Sequence, residues 1–151
     1  MIKAKTISAA IIGTSAMTLY SYVLAGTKNR NFREPENLSI LLRRLAPVEE
    51  KEADVICWTA HYTVGLLFVL VYEQLYANTQ LKPNIRTGLT LGFFTGLFAI
   101  LVWKMVFHLH PRPPKKDFKR YYGQLLIAHI IFGLVSTLVC KKGETTKQIS
   151  N

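Results

Sequence analysis

The stretch TGLTLGFFTGLFAILVWKMVF, residues 87–107, holds one ionisable side chain, Lys104, in 21 positions. A helix needs about 20 mainly apolar residues to cross the hydrocarbon core of a bilayer, where every backbone N–H and C=O must be satisfied inside the segment. Three other segments match it, at 6–25, 55–76 and 123–140. The four take up more than half of the 151 residues, and what remains is too short and too charged to build a second core. The expected fold is all-α: a polytopic membrane protein, one domain over residues 1–151, with four transmembrane helices in a bundle.

The first segment has a competing reading. Lys3 and Lys5 precede it, and Val23 and Ala25 stand at cleavage-like positions, as in a secretory signal. Its run is longer than a usual signal core, and without it the second crossing would lack a partner, so a retained first helix is expected.

The connections differ in character. Residues 27–54 form a long loop rich in both charges, 77–86 is little more than a turn containing Pro83, and 108–122 is short and basic. Within the long loop Leu38, Leu41, Leu42 and Leu45 recur at i, i+3, i+4 and i+7, with Pro35 at the start and Pro47 just past the end. That spacing predicts a short amphipathic helix over 35–46, lying on the membrane surface with Arg43 and Arg44 toward anionic headgroups, or else packed on the bundle as a lid. Basic residues near the crossings number 11 on the side of the two long loops (Lys28, Arg30, Arg33, Arg43, Arg44, Lys51, Arg112, Lys115, Lys116, Lys119, Arg120). The other side has 7 (Lys3, Lys5, Lys82, Arg86, Lys141, Lys142, Lys147), which places the long loops in the cytoplasm.

A net charge of +10 raises the question of nucleic acid. Most of that charge abuts the crossings, and HPRPPKKDFKRYY reads as an anionic-lipid contact with Tyr121 and Tyr122 at the interface, so no nucleic-acid partner is expected. Cys57 and Cys140 fall near opposite ends of their crossings, roughly 20 Å apart in depth, whereas a disulfide tolerates about 7 Å between Cα atoms. They are expected as free thiols.

Two apolar segments carry the same Ala-His-x3-Gly-Leu pattern, TAHYTVGL around His61 and IAHIIFGL around His129. Each histidine lies six residues into its expected crossing, so both imidazoles sit about 9 Å below the same surface. Gly65 and Gly133 follow one turn on, leaving a gap beside each ring for a helix or a flat ligand. The spacing Gly13 to Arg33 repeats as Gly92 to Arg112, with Pro35 and Pro114 each two residues later. The chain thus reads as two related helical hairpins, with His61 and His129 brought together across a pseudo-twofold axis. Gly88, Gly92 and Gly96, and Ala9 with Gly13, are small-residue stripes for close packing within the chain, or else for a homodimer or a membrane partner subunit.

Buried polar side chains in a bilayer face the bundle interior and find partners there. One reading is structural: His61 and His129 bond hydroxyls or carbonyls of neighbouring helices, such as Thr18 or Ser21, and fix the packing. The functional reading is a ligand site built from His61, His129, Gly65 and Gly133, with Arg33, Arg112 and Lys104 at its edge. A b-type haem held axially by His61 and His129, with propionates on the basic residues, is one candidate; a metal held by His61, His129, His108 and His110 is another. An anionic headgroup is a third. The metal reading is weakened because no aspartate or glutamate is expected near the cluster inside the membrane.

The combination GTSAMTLYSY, NFREPENL, HYTVGLLFVLVY and HPRPP followed by AHIIFGL resembles a group of small uncharacterised bacterial integral membrane proteins with four predicted crossings, over nearly the whole chain. The resemblance implies a multi-pass protein of the bacterial inner membrane and a retained first helix, and it lends no catalytic residue. The functional expectation is a non-enzymatic binding or accessory protein, with a haem electron carrier or a small transporter as alternatives.

Overall fold

The computed structural model describes residues 3–28, 33–114 and 117–149, of which 27, 28 and 142–149 are described by backbone alone. Arg30, Lys115 and Lys116 lie outside the described residues, as do the side chains of Lys28, Lys142 and Lys147. Helices run beyond the apolar limits of each segment: α1 (Ala4–Lys28), α2 (Glu34–Leu45), α3 (Glu50–Asn78), α4 (Ile85–Leu109) and α5 (Phe118–Ile149). No strand occurs among the described residues. All but α2 contain a segment long and apolar enough to cross a membrane, the pattern of a multi-pass membrane protein.

Local chemistry explains where the helices start. α3 begins before its apolar run because Glu50 and Glu52 occupy its first turn, where carboxylates meet the positive end of the helix dipole. α4 opens on a reciprocal cap: Asn84 Oδ1 accepts from the Thr87 amide at 3.1 Å, and Thr87 Oγ1 accepts from the Asn84 amide at 3.0 Å. Pro35 stands in the first turn of α2, where its missing N–H costs nothing.

Close approach of backbones organises the packing. A Cβ added to Gly92 would stand 2.6 Å from the His129 carbonyl oxygen, and one on Gly133 would stand 2.5 Å from the Gly92 Cα, so α4 and α5 interlock through their glycines. The stripe Gly88, Gly92 and Gly96 is thus filled by α5 of the same chain. On the other side of α5, Ser136 Oγ donates to the Ala9 carbonyl at 3.2 Å and its hydroxyl fills the space a side chain on Gly13 would need. α1 also packs on α3, with Thr14 against Gly65.

Helices α3 and α4 behave differently. They are joined by a short turn and meet near it, where Tyr72 and Thr95 hydroxyls bond at 2.9 Å and the Phe68 and Phe98 rings pack edge to face at 6.2 Å. Farther from the turn they part. A twofold relation between hairpins would match the close α1–α5 packing with an equally close α3–α4 pair, which the close backbone contacts do not include. The departure from symmetry creates a gap at the end that holds α2.

Helix α2 packs into that end. Its buried face is Glu34, Pro35, Asn37, Ser39 and Leu41 rather than the leucine stripe alone, and Leu45 is exposed. Leu41 joins Ala99 and Phe107 of α4 and Tyr121 and Leu125 of α5 in one apolar cluster. Tyr121, expected at the interface, is instead buried against Trp103 and Phe107. Cys57 and Cys140 are both buried and form no disulfide, as their depths require.

Candidate functional site

The gap between α3 and α4 is a cavity of about 270 Å³. Its walls are Ala60, Val64 and Phe68 of α3 and Phe98, Val102 and Trp103 of α4. Met17 of α1 and Phe132 of α5 floor it, and Pro35 and Leu38 of α2 close the end away from the turn. Val64, Phe98 and Val102 are 47%, 56% and 40% exposed, so the mouth opens sideways between the two helices, toward what would be lipid. The lining is apolar except for Thr14, Glu34, His61 and His129.

Both histidines of the repeated pattern therefore reach one cavity. His61 Nε2 lies 3.0 Å from Thr18 Oγ1, and that hydroxyl donates its only proton to the Thr14 carbonyl at 2.7 Å. Thr18 must then accept, so His61 carries its proton on Nε2 and leaves the Nδ1 lone pair bare. His129 Nδ1 lies 2.9 Å from the Leu125 carbonyl, which can only accept, so His129 carries its proton on Nδ1 and leaves Nε2 bare. No described residue hydrogen-bonds either bare nitrogen, and both rings line the cavity. The two rings are held in opposite tautomers. The edge of Phe68 packs on His129 at 6.3 Å and steadies its plane.

The structural and ligand readings of the histidines are thus joined rather than opposed. Thr18 is the partner expected for His61, whereas His129 bonds the carbonyl one turn back on its own helix. In each ring one nitrogen fixes the orientation and the other is bonded by no described residue.

The remaining expected site residues do not gather there. Gly65 lines the cavity, but the gap beside it is taken by Thr14; Gly133 is covered by the α4 backbone at Gly88 and Gly92. Helices occupy both gaps, so neither glycine makes room for a flat ligand. Arg33 pairs with Glu36 at 2.9 Å and stacks over Tyr22, outside the cavity wall. Arg112 and Arg44 exchange guanidinium-to-carbonyl bonds, tying the α4–α5 connection to the end of α2. Lys104 stands 5.7 Å over the Tyr122 ring, and His108 is exposed. His110 uses both nitrogens, Nε2 donating to the Leu41 carbonyl at 3.1 Å and Nδ1 accepting from the Arg112 amide at 3.0 Å. It is a clamp on α2.

Glu34 is the residue that the sequence pattern hid. It is 4% exposed, lines the cavity with the histidines, and its Oε1 accepts from Ser21 Oγ at 3.3 Å and from Gln124 Nε2 at 3.2 Å. A carboxyl group therefore does stand at the inner cluster, contrary to expectation. The available signal was its spacing, since Glu34, Leu38 and Leu41 share one helical face. Among the described residues no group of three histidine, cysteine, aspartate or glutamate side chains is placed to hold a metal ion.

Comparison of the chain with models of known protein families, with curated proteins and with solved structures finds no match.

Proposed function

We propose that this is a non-enzymatic binding or accessory protein of the bacterial cytoplasmic membrane, in which four crossings form a bundle and the α3–α4 cavity receives a small amphiphile from the bilayer. The carrying observation is the cavity itself: apolar walls, a mouth between Val64, Phe98 and Val102, and convergent polar groups at one end. Such a combination of greasy lining and a few oriented polar atoms is the usual make-up of a small-molecule site. The exposed Lys51, Lys119 and Arg120 at the same end fit contact with anionic headgroups and a cytoplasmic placement.

Haem suits this geometry less well. His61 Nε2, the usual axial nitrogen, is bonded to Thr18, and the glycine gaps are filled by helices. An anionic head inside the cavity is also disfavoured, because Arg33 and Arg112 are engaged elsewhere and Glu34 lies within.

Filling the cavity tests the reading. Ala99, on the cavity wall, tolerates a larger apolar side chain only at the expense of that space. Native mass spectrometry of gently extracted protein is expected to show a bound small molecule on the wild type and about tenfold lower occupancy on Ala99→Phe, a loss equivalent to about 1.4 kcal/mol of binding. Equal occupancy in both would remove the cavity from the account.

A further inference from the structure

We infer that the ligand is a neutral hydroxylated lipid, a molecule with an apolar body and a polar end that donates hydrogen bonds. This rests on the proposed cavity function and names its ligand class. The argument is one of complementarity. His61 and His129 line the cavity with one bare acceptor each, Nδ1 and Nε2, while their ring protons are committed to Thr18 and Leu125. The Glu34 carboxyl group also lines the cavity, with its Oε1 receiving Ser21 and Gln124. No lysine or arginine lines the wall.

An acceptor-only head, such as an ether or a ketone, meets lone pair against lone pair at this end of the cavity. A fixed cation fares poorly for a different reason, since apolar walls offer it little solvation. A hydroxyl gives its proton to an imidazole nitrogen that otherwise has no partner in an apolar setting, and the rest of the molecule lies along Val64, Phe98 and Val102 toward the mouth. The tautomers are held by bonds inside the bundle, so the site is set for a donor before any ligand arrives.

The test uses two probes that differ in one group, a methyl replacing the hydroxyl proton. Tritiated 4-octylphenol is bound to the detergent-solubilised wild-type chain in a scintillation proximity assay and competed by unlabelled 4-octylphenol or by 4-octylanisole, its methyl ether. Saturable binding is expected, with the anisole about tenfold weaker as a competitor, the equivalent of one lost hydrogen bond. Equal competition by the two would overturn the donor requirement while leaving the cavity as an amphiphile site. Absence of saturable binding by either would overturn both. His129→Phe supplies a second arm: in a protein that still elutes as a single species, the preference for phenol over anisole is expected to shrink, and an unchanged preference would contradict the assignment.

Discussion

Gly133→Ala is expected to destabilise the protein by about 3 kcal/mol, the upper part of the usual range for overpacking a close-packed contact. The added Cβ would stand 2.5 Å from both the Cα and the nitrogen of Gly92 and 2.6 Å from the Gly88 carbonyl oxygen, closer than real Cβ atoms come. These are backbone atoms, which cannot swing aside like the end of a flexible side chain, so α4 must move off α5. The effect reaches the site, because His129 lies one turn before Gly133 and its carbonyl oxygen is what a Cβ on Gly92 would meet. Gly123→Ala is the matched control: nothing stands within 4 Å of its added Cβ, and alanine favours helix by about 1 kcal/mol over glycine. Thermal denaturation in detergent should therefore move down sharply for the first and level or slightly up for the second. Equal transitions for the two would mean that α4 and α5 do not interlock as described.

The second large effect concerns α2. Glu34 accepts from Ser21 of α1 and Gln124 of α5, so its carboxyl group is where a helix from the loop is fastened to two crossings. Glu34→Ala leaves the buried Ser21 hydroxyl without its acceptor, while Gln124 keeps its bond to Ser21 Oγ, at a cost of about 2 kcal/mol for the unsatisfied group. The expected consequence is release of α2, read as trypsin cleavage after Arg43 and Arg44 that is about 30-fold faster if cleavage follows the open population. The interlocked backbones of α4 and α5 at Gly92 and Gly133 and the packing of α1 at Gly13 and Gly65 do not involve Glu34, which is why release rather than global unfolding is expected. Cleavage at the wild-type rate would show that the Glu34 bonds do not hold α2 in place.

These two residues also mark how far the sequence could be read. Gly133 sits in a run, 123–140, that has to cross something apolar, and its missing side chain leaves a gap for a helix or a flat ligand; the helix that fills it is announced by Gly88, Gly92 and Gly96, small residues four apart that have to meet a neighbour. Helix ends were less legible, because apolar length marks the membrane-sized part while α3 extends through charged Glu50 and Glu52 that stabilise its first turn. The level shared by His61 and His129 follows from 1.5 Å rise per residue and equal offsets. The identity of the bonded nitrogen in each ring does not, since it depends on whether a hydroxyl of α1 or a carbonyl of α5 lies beside it.

Glu34 was hidden by its company. It stands among Arg33, Glu36 and Asn37, a stretch whose composition reads as solvated loop, and only the rotation of α2 turns it inward while Arg33 and Glu36 pair with each other. Arg33, Arg112 and Lys104 failed as site residues for a related reason. Long basic side chains near a helix end find local carbonyls, carboxylates and ring faces before they reach a cavity. The gap between α3 and α4 was not legible at all, because it arises from unequal packing of two hairpins that look alike in sequence.

The most direct measurement is the nitrogen-15 spectrum of the ligand-free protein with its imidazoles labelled, in which couplings to the ring C–H protons tell a protonated nitrogen from a bare one. His61→Gln and His129→Gln assign the signals. The account predicts two neutral rings of opposite kind, His61 protonated on Nε2 and His129 on Nδ1. Finding both rings in the same tautomer, or either one doubly protonated at neutral pH, would contradict it.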